Sequence, residues 1–278
     1  SVFATATELI ASDSVDVVHI CTPNRFHFEL AEAAIAAGKP VVCEKPLSMT
    51  LAEADRMVSL ADARGVATAV PFIYRYFGAA TRMHAQLSTL AQPSVDSSPL
   101  TSLDGAYLQD WLLAPGSTNW RVDPALGGES RVFADVGIHW CDLMEFVTGH
   151  RIVRLRARFT NLYADRPTED TAEVEFETDL GARGSLVVSQ VAEGHANDLE
   201  FRFRAGEQPI EWTQADSSEY QPAFNRFMAD AYASFTSVRS PSGSVSPNLP
   251  TFADGRRAAS LIDAVVRSAR SGEWVTPN

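Results

Sequence analysis

The feature that most constrains the fold lies between residues 15 and 74, where three apolar, β-branched stretches alternate with two helical ones. VDVVHICTP at 15–23 is a continuous run of the kind found in strands buried on both faces. HFELAEAAIAAG at 27–38 follows, with Phe28, Ala31 and Ile35 at helical spacing and Gly38 as its stop. PVVCEKP at 40–46 gives a second strand. TLAEADRMVSLADARG at 50–65 gives a second helix: Thr50 is the N-cap, Glu53 completes a capping box and Gly65 closes it. VATAVPFIY at 66–74 gives a third strand. A parallel strand pair needs a crossover, and helical crossovers are right-handed, so this order predicts a parallel α/β sheet. Ligands bind such sheets beyond the C-terminal ends of the strands. The CTPN (21–24) and CEKP (43–46) termini therefore face one crevice.

Residues 5–13 predict a short leading helix with Thr7 as its N-cap. After residue 75 the pattern changes. A helix is predicted over 77–92, a polar loop at SVDSSPLTS (94–102) and a strand over 103–114. A Gly/Pro-bounded loop over 115–130 leads into a helix over 133–149. Strands then dominate, at 152–159, 171–177, 183–190, 199–204 and 210–213, with short turns that predict a mainly antiparallel sheet. Helices over 223–237 and 252–271 close the chain, separated by a Ser/Pro-rich loop at 238–250. The fold class is α/β followed by α+β.

A length of 278 residues accommodates two domains. The net charge of −12 argues against a nucleic-acid binder. No apolar run reaches the roughly 20 residues that span a bilayer, and the opening SVFATATELIASD does not read as a signal peptide. Cys21, Cys43 and Cys141 are odd in number and widely spaced. They predict buried thiols in a reducing, cytoplasmic compartment rather than disulfides or a zinc site.

Three constellations carry chemistry. Lysine is scarce: Lys39 and Lys45 stand against 21 arginines. Lys45, between Glu44 and Pro46 at a strand end, can sit desolvated and polarise a carbonyl or alcohol oxygen, which arginine does less well. The plainer alternative is a surface turn. Asp135 and His139 lie at i and i+4 on one helical face, and the aspartate can orient and tune the imidazole as a proton shuttle. The alternatives are a cap with a core histidine, or a metal set with Asp142 at i+7, which no second cluster completes. Trp120 and Arg121 can stack on a ring and bind phosphate or carboxylate, or simply anchor their loop. His27, at a helix start after Pro23 and Asn24, is placed to meet a phosphate or ribose. His19 reads as a buried strand histidine.

These segments, taken in order, resemble the Gfo/Idh/MocA family of NAD(P)-dependent oxidoreductases. VDVVHICTPNRFHFELAEAAIAAGKPVVCEKPLSMTLAEADRMV is similar to the second half of the family's Rossmann domain. YLQDWLLAPGSTNWRVDPALGGESRVFADVGIHWCDLMEFVTG is similar to its cofactor- and substrate-facing segment. The resemblance implies a dinucleotide domain over 1–74 and a substrate-binding and oligomerisation domain over 75–278. The latter carries a large open-faced sheet and forms a homodimer or homotetramer. It implies Lys45, Asp135 and His139 as the catalytic set. Thr22, Pro23, Asn24, His27, Glu44, Lys45, Pro46, Trp120 and Arg121 would contact NAD or NADP. The substrate would be a sugar or cyclitol, with no metal, nucleic acid or membrane partner. A non-catalytic sugar- or nucleotide-sensing relative is the alternative reading.

Two departures stand out. The family's opening strand and G-x-G-x-x-G turn do not occur in this sequence, which starts at Ser1. The expectation is an N-terminally incomplete Rossmann sheet, or an inactive fragment, that binds dinucleotide weakly. The stretch over 201–224 is also shorter than in relatives, and it often borders the substrate pocket.

Overall fold

The computed structural model describes residues 2–90, 100–205, 208–214, 217–237 and 246–278. Most of the predicted polar loop at 94–102 and of the Ser/Pro-rich loop at 238–250 lies outside the described residues.

The first half contains α1 (Ala6–Ala11), β1 (Val18–Ile20), α2 (His27–Ala36), β2 (Val41–Cys43), α3 (Leu51–Arg64) and β3 (Thr68–Ala69). The strands form a parallel sheet in the order β1-β2-β3, with Ile20 opposite Cys43 and Val41 opposite Thr68. The α3 capping box forms as the sequence predicts: Thr50 accepts from the Glu53 amide, and the Glu53 carboxylate accepts from the Thr50 amide. Gly65 ends the helix at φ +60°, a conformation that favours glycine.

Four expectations are corrected here. Thr5, not Thr7, caps α1. β1 is not buried on both faces: His19 is exposed between buried Val18 and Ile20, and it stacks on Tyr232. The third strand pairs only at Thr68 and Ala69, because the chain turns away into a 3₁₀ turn at Ile73–Tyr76. Finally, the predicted helix over 133–149 opens with a π turn, Phe133–Gly137, before α6 (Ile138–Thr148).

The second half begins with α4 (Gly78–Leu90), β4 (Leu100–Leu108) and the short α5 (Pro124–Gly127), and continues after α6 with β5 (Ile152–Thr160), β6 (Thr171–Thr178), β7 (Arg183–Ser189), β8 (Asp198–Ala205) and β9 (Gln208–Gln214). They form a six-stranded sheet in the order β5-β6-β7-β4-β8-β9, antiparallel except where β4 runs parallel to β7. Alternating burial along β6 and β8 leaves one face packed and the other open. α7 (Tyr220–Ser237) and α8 (Phe252–Ser271) finish the fold. α8 carries a second capping box, from Thr251 and Asp254, and packs against both α3 and β5. The chain thus returns to the first sheet at its end: the Val70 amide donates to the Pro250 carbonyl, and the Phe252 amide to Thr68 Oγ1.

The contact that seats α6 on the large sheet is Trp140 on Gly105. Trp140 is fully buried, its indole stacks on Phe201 at 5.2 Å, and Nε1 donates to the Glu200 carbonyl at 2.9 Å. A Cβ on Gly105 would collide with the indole and with that carbonyl. Gly105→Ala is therefore expected to cost about 3 kcal/mol of stability through overpacking, read as a lower urea midpoint with an unchanged slope.

Candidate active site

Lys45 follows β2, whose line continues through the Glu44 amide bonding to the Ile20 carbonyl at 2.9 Å. The Lys45–Pro46 bond is cis. From here the Lys45 ammonium crosses to the second half of the molecule. Its Nζ donates to both the carbonyl and the Oδ1 of Asp135, each at 2.7 Å. One N–H of the ammonium is left uncommitted. Both side chains are largely buried, at 13% and 17% exposure, so the pair is neither a surface turn nor a solvated ion pair.

Asp135 collects further donors. Gln190 Nε2 reaches Oδ2 at 2.8 Å, and Arg121 Nε lies 3.3 Å from Oδ1. Burial by itself would push this carboxyl up. The charges of Lys45 and Arg121, with the hydrogen bonds from Lys45 and Gln190, outweigh it and hold Asp135 far below the usual carboxylate range.

His139 lies one turn further along, buried in the wall formed by Phe72 and Tyr74, whose rings stand nearly perpendicular to it with centroids 5.9 and 5.1 Å away. Burial, reinforced by the Lys45 charge and opposed by Asp135, keeps its pKa well below 6.5. The ring is neutral at pH 7. Among the described residues its buried Nδ1 has no hydrogen-bond partner. The hydrogen bonds of Asp135 run to Lys45 and Gln190 rather than to His139, so the aspartate orients the lysine directly and reaches the imidazole only through its charge.

The other predicted residues divide into two groups. Asn24 donates from Nδ2 to the Gly127 carbonyl at 2.8 Å, closing the crevice from the first half onto the 115–130 loop. Arg121 stacks over Trp120 at 4.4 Å, and Asn119 caps their turn by accepting from the Arg121 amide. Asn24, Lys45, Pro46, Arg121 and Asp135 line one cleft. Glu44 accepts from the Lys45 amide at 3.3 Å. Thr22 Oγ1 is, like His139 Nδ1, buried without a partner among the described residues. His27 is different. It is wholly buried, and its two ring nitrogens lie 2.9 Å from the Pro46 and Thr22 carbonyls. No ring nitrogen remains for a phosphate or ribose; His27 instead clamps the two strand-end turns together. Asp142 does not accompany His139. It forms a bidentate pair with Arg75, which also binds Asp254, beside a separate cavity of about 200 Å³. Burial, only partly offset by Arg75, pushes Asp142 up to about 6.

The sequence reading missed the polar chain around the site. Tyr74 Oη bonds to Tyr107 Oη at 2.5 Å, and Tyr107 donates to Asn197 Oδ1. Gln109 Nε2 donates to the same oxygen, and Gln109 Oε1 accepts from Trp111 and Gln190. Burial raises both phenols, so they stay protonated. No local motif marks these residues, because the polar chain is assembled from separate segments: the turn carrying Tyr74, the end of β4, the residue after β7 and the residue before β8.

The family model for an oxidoreductase family with an NAD-binding Rossmann fold matches residues 1–72, and the Gfo/Idh/MocA C-terminal-domain model matches 99–207. The chain belongs to the Gfo/Idh/MocA family. It is 26% identical to the levoglucosan dehydrogenase of Pseudarthrobacter phenanthrenivorans, over 96% of this chain and 81% of that one. It is 28% identical to the oxidoreductase YfiI of Bacillus subtilis, over 77% of this chain and 55% of that one. Among solved structures, an oxidoreductase domain protein from Kribbella flavida superposes with a TM-score of 0.84 at 25% identity, covering 99% of this chain and 84% of the other. A levoglucosan dehydrogenase in complex with NADH and levoglucosan superposes with a TM-score of 0.81 at 25% identity, with 99% and 83% covered.

Removing the ammonium would leave Asp135 buried with weaker partners. Lys45→Met is expected to cost about 3 kcal/mol at neutral pH. Asp135 has a depressed pKa in the folded state, so its contribution is present above its ordinary value of 3.8 and is lost as pH falls through the folded value. The gap between wild type and Lys45→Met should therefore narrow below pH 3.8, as followed by urea unfolding at a series of pH values.

Proposed function

We propose that the chain is an NAD- or NADP-dependent oxidoreductase that acts on a hydroxyl-bearing carbon of a sugar or cyclitol. One observation carries this reading. A buried lysine–aspartate pair spans the two halves of the molecule beside a neutral histidine whose Nδ1 is buried and unpartnered.

The residues fit the nicotinamide end of such a cofactor. The unpartnered Thr22 Oγ1 sits at the strand-end turn that opens the crevice, with Asn24, Glu44, Lys45 and Pro46 from the first half and Trp120 and Arg121 from the second. Pro23 completes that wall, and His27 supports it from behind. The Gly-rich phosphate turn of the family is not part of this sequence. When bound, the nicotinamide supplies the acceptor or donor of the hydride.

The chain's own groups do the rest. The uncommitted N–H of Lys45 donates to the reacting oxygen and steadies the negative charge that grows there during oxidation. His139, neutral and desolvated, takes the hydroxyl proton, and returns it when the reaction runs towards the alcohol. Asp135 keeps the ammonium aimed, and the crevice walls exclude water.

Residues 1–74 then serve as the dinucleotide domain and 75–278 as the substrate and oligomerisation domain. The open face of the six-stranded sheet, where Val187 is exposed, supports assembly into a dimer or tetramer. Cys43 and Cys141 are buried as expected while Cys21 is exposed, and the three free thiols support a cytoplasmic location. Among the described residues, no helix is long and apolar enough to cross a membrane.

The deciding experiment is a panel of sugars and cyclitols offered with NAD⁺ and NADP⁺, with nicotinamide absorbance as the readout. Turnover of at least one is expected, at a raised KM for the cofactor because the family's Gly-rich phosphate turn is not part of this sequence; none across the panel, at saturating cofactor, would overturn the reading. His139→Asn should lower kcat by roughly 10²–10⁴-fold while cofactor affinity, measured by calorimetry, stays unchanged. The acid limb of kcat/KM for oxidation should fall well below pH 6.5, since that is where His139 becomes protonated.

A further inference from the structure

The geometry points to Gln190 as the residue that positions the Lys45–Asp135 pair, with Arg131 fixing which way round its amide sits. The catalytic consequence rests on the oxidoreductase reading above, whereas the coupling itself does not.

Gln190 follows β7 and is wholly buried. Its backbone is pinned on both sides: its amide donates to the Asp170 carbonyl, and its carbonyl accepts from the Leu112 amide, each at 3.0 Å. A side-chain amide keeps its shape when flipped, so its neighbours decide which end is the donor. Arg131 can only donate, and its Nη1 meets Gln190 Oε1 at 3.1 Å. Gln190 Nε2 is therefore turned to Asp135 Oδ2, at 2.8 Å, and to Gln109 Oε1, at 3.1 Å.

Arg131 has no freedom to release that oxygen. It is fully buried; its Nε reaches Thr168, and its Nη2 reaches the Glu169 carbonyl and the Asp170 carboxylate. The other end of the chain is closed in the same way. The indole of Trp111 can only donate, and it meets Gln109 Oε1 at 3.0 Å, which sends Gln109 Nε2 to Asn197. Two obligate donors, Arg131 and Trp111, thus set the direction of each hydrogen bond between them.

The result falls on Asp135. With Oδ2 held by Gln190, the carboxylate cannot rotate, and Oδ1 alone faces Lys45 and Arg121. The Lys45 ammonium, fixed at two of its three N–H groups, then presents the third in one direction. Asp135 is faced by Lys45, Arg121 and Gln190, and its charge is felt by Tyr74, Tyr107 and His139. Gln190 touches none of the reacting atoms; it acts through the pair.

The test is Gln190→Glu. This variant keeps an oxygen for Arg131 but turns a second oxygen onto Asp135. The chain holds only two lysines, so carbon-13 at lysine Cε gives two resonances. Lys39, bonded to the Ser12 and Val15 carbonyls, serves as the internal reference. In the ligand-free protein, the acid-side inflection of the Lys45 resonance, which reports Asp135 taking up its proton, should move up by about one pH unit or more while Lys39 does not move. In turnover, kcat should fall by roughly 100-fold while the KM for nicotinamide cofactor changes by less than about twofold. A Lys45 inflection that stays at its wild-type pH overturns the proposal. Should Gln190→Glu not fold, Gln190→Asn, uncharged and one methylene too short to reach, is read by the same resonance: upward movement supports the coupling and none overturns it. Failure of the wild-type protein to turn over any sugar or cyclitol would count against the oxidoreductase reading alone, because the Lys45 resonance reports Asp135 without any cofactor.

Discussion

A buried ion pair joins the two halves of this molecule where its chemistry would occur. Lys45 comes from the end of a parallel strand and Asp135 from the first turn of a helix ninety positions later. Bringing both out of water costs several kcal/mol per ion, and a simple contact seldom repays that. Here each partner is hydrogen-bonded more than once: the ammonium by a carboxylate and a carbonyl, the carboxylate by lysine and glutamine, with the Arg121 guanidinium adding its charge at 3.3 Å. The choice of lysine follows from the same constraint. A guanidinium presents a flat fork that suits a bidentate carboxylate, as Arg75 does at Asp142. A tetrahedral ammonium can bind two oxygens of one residue and still hold a donor out to a third atom.

Around this pair the supporting structure is polar yet almost completely satisfied. Glu169 receives Ser130 Oγ and the amides of Arg131 and Phe133 at the start of the π turn, supplying the acceptor that a buried helix end needs. His27 ties together the two loops at the ends of β1 and β2. Against that background Thr22 Oγ1 and His139 Nδ1, buried without a hydrogen-bond partner among the described residues, stand out as groups a bound ligand can satisfy.

What could be read from the sequence was what depends on near neighbours. The strand–helix alternation, the Thr50–Glu53 capping box and the Gly65 stop each arise within a few residues, and they appear in the structure where the pattern puts them. Lys45 drew attention by its rarity, and the Asp135–His139 spacing by its helical period. The rest needed tertiary contacts. The sequence predicts a third strand over the whole of 66–74 because that stretch is apolar apart from Thr68, and apolarity alone does not distinguish a strand from a buried 3₁₀ turn such as Ile73–Tyr76. His27 looked like a ligand-facing residue because its helix start is visible and its two carbonyl partners are not. Gln109, Gln190 and Asn197 carry no charge, spacing or motif; only the sheet order, which sets β4 between β7 and β8, gathers them.

The seat of Trp140 on Gly105 bears on how such a crevice could open. The indole neighbours His139 in sequence, lies flat on Phe201 and is bolted to the Glu200 carbonyl, and the missing side chain of Gly105 leaves it no slack. The helix bearing the imidazole is thereby fixed to the large sheet like a shelf to a wall. Any movement that admits a ligand must then be borne by the opposing jaw, the turns carrying Thr22, Asn24 and Lys45, whose hold on the shelf is a few side-chain hydrogen bonds rather than an interlocked aromatic ring.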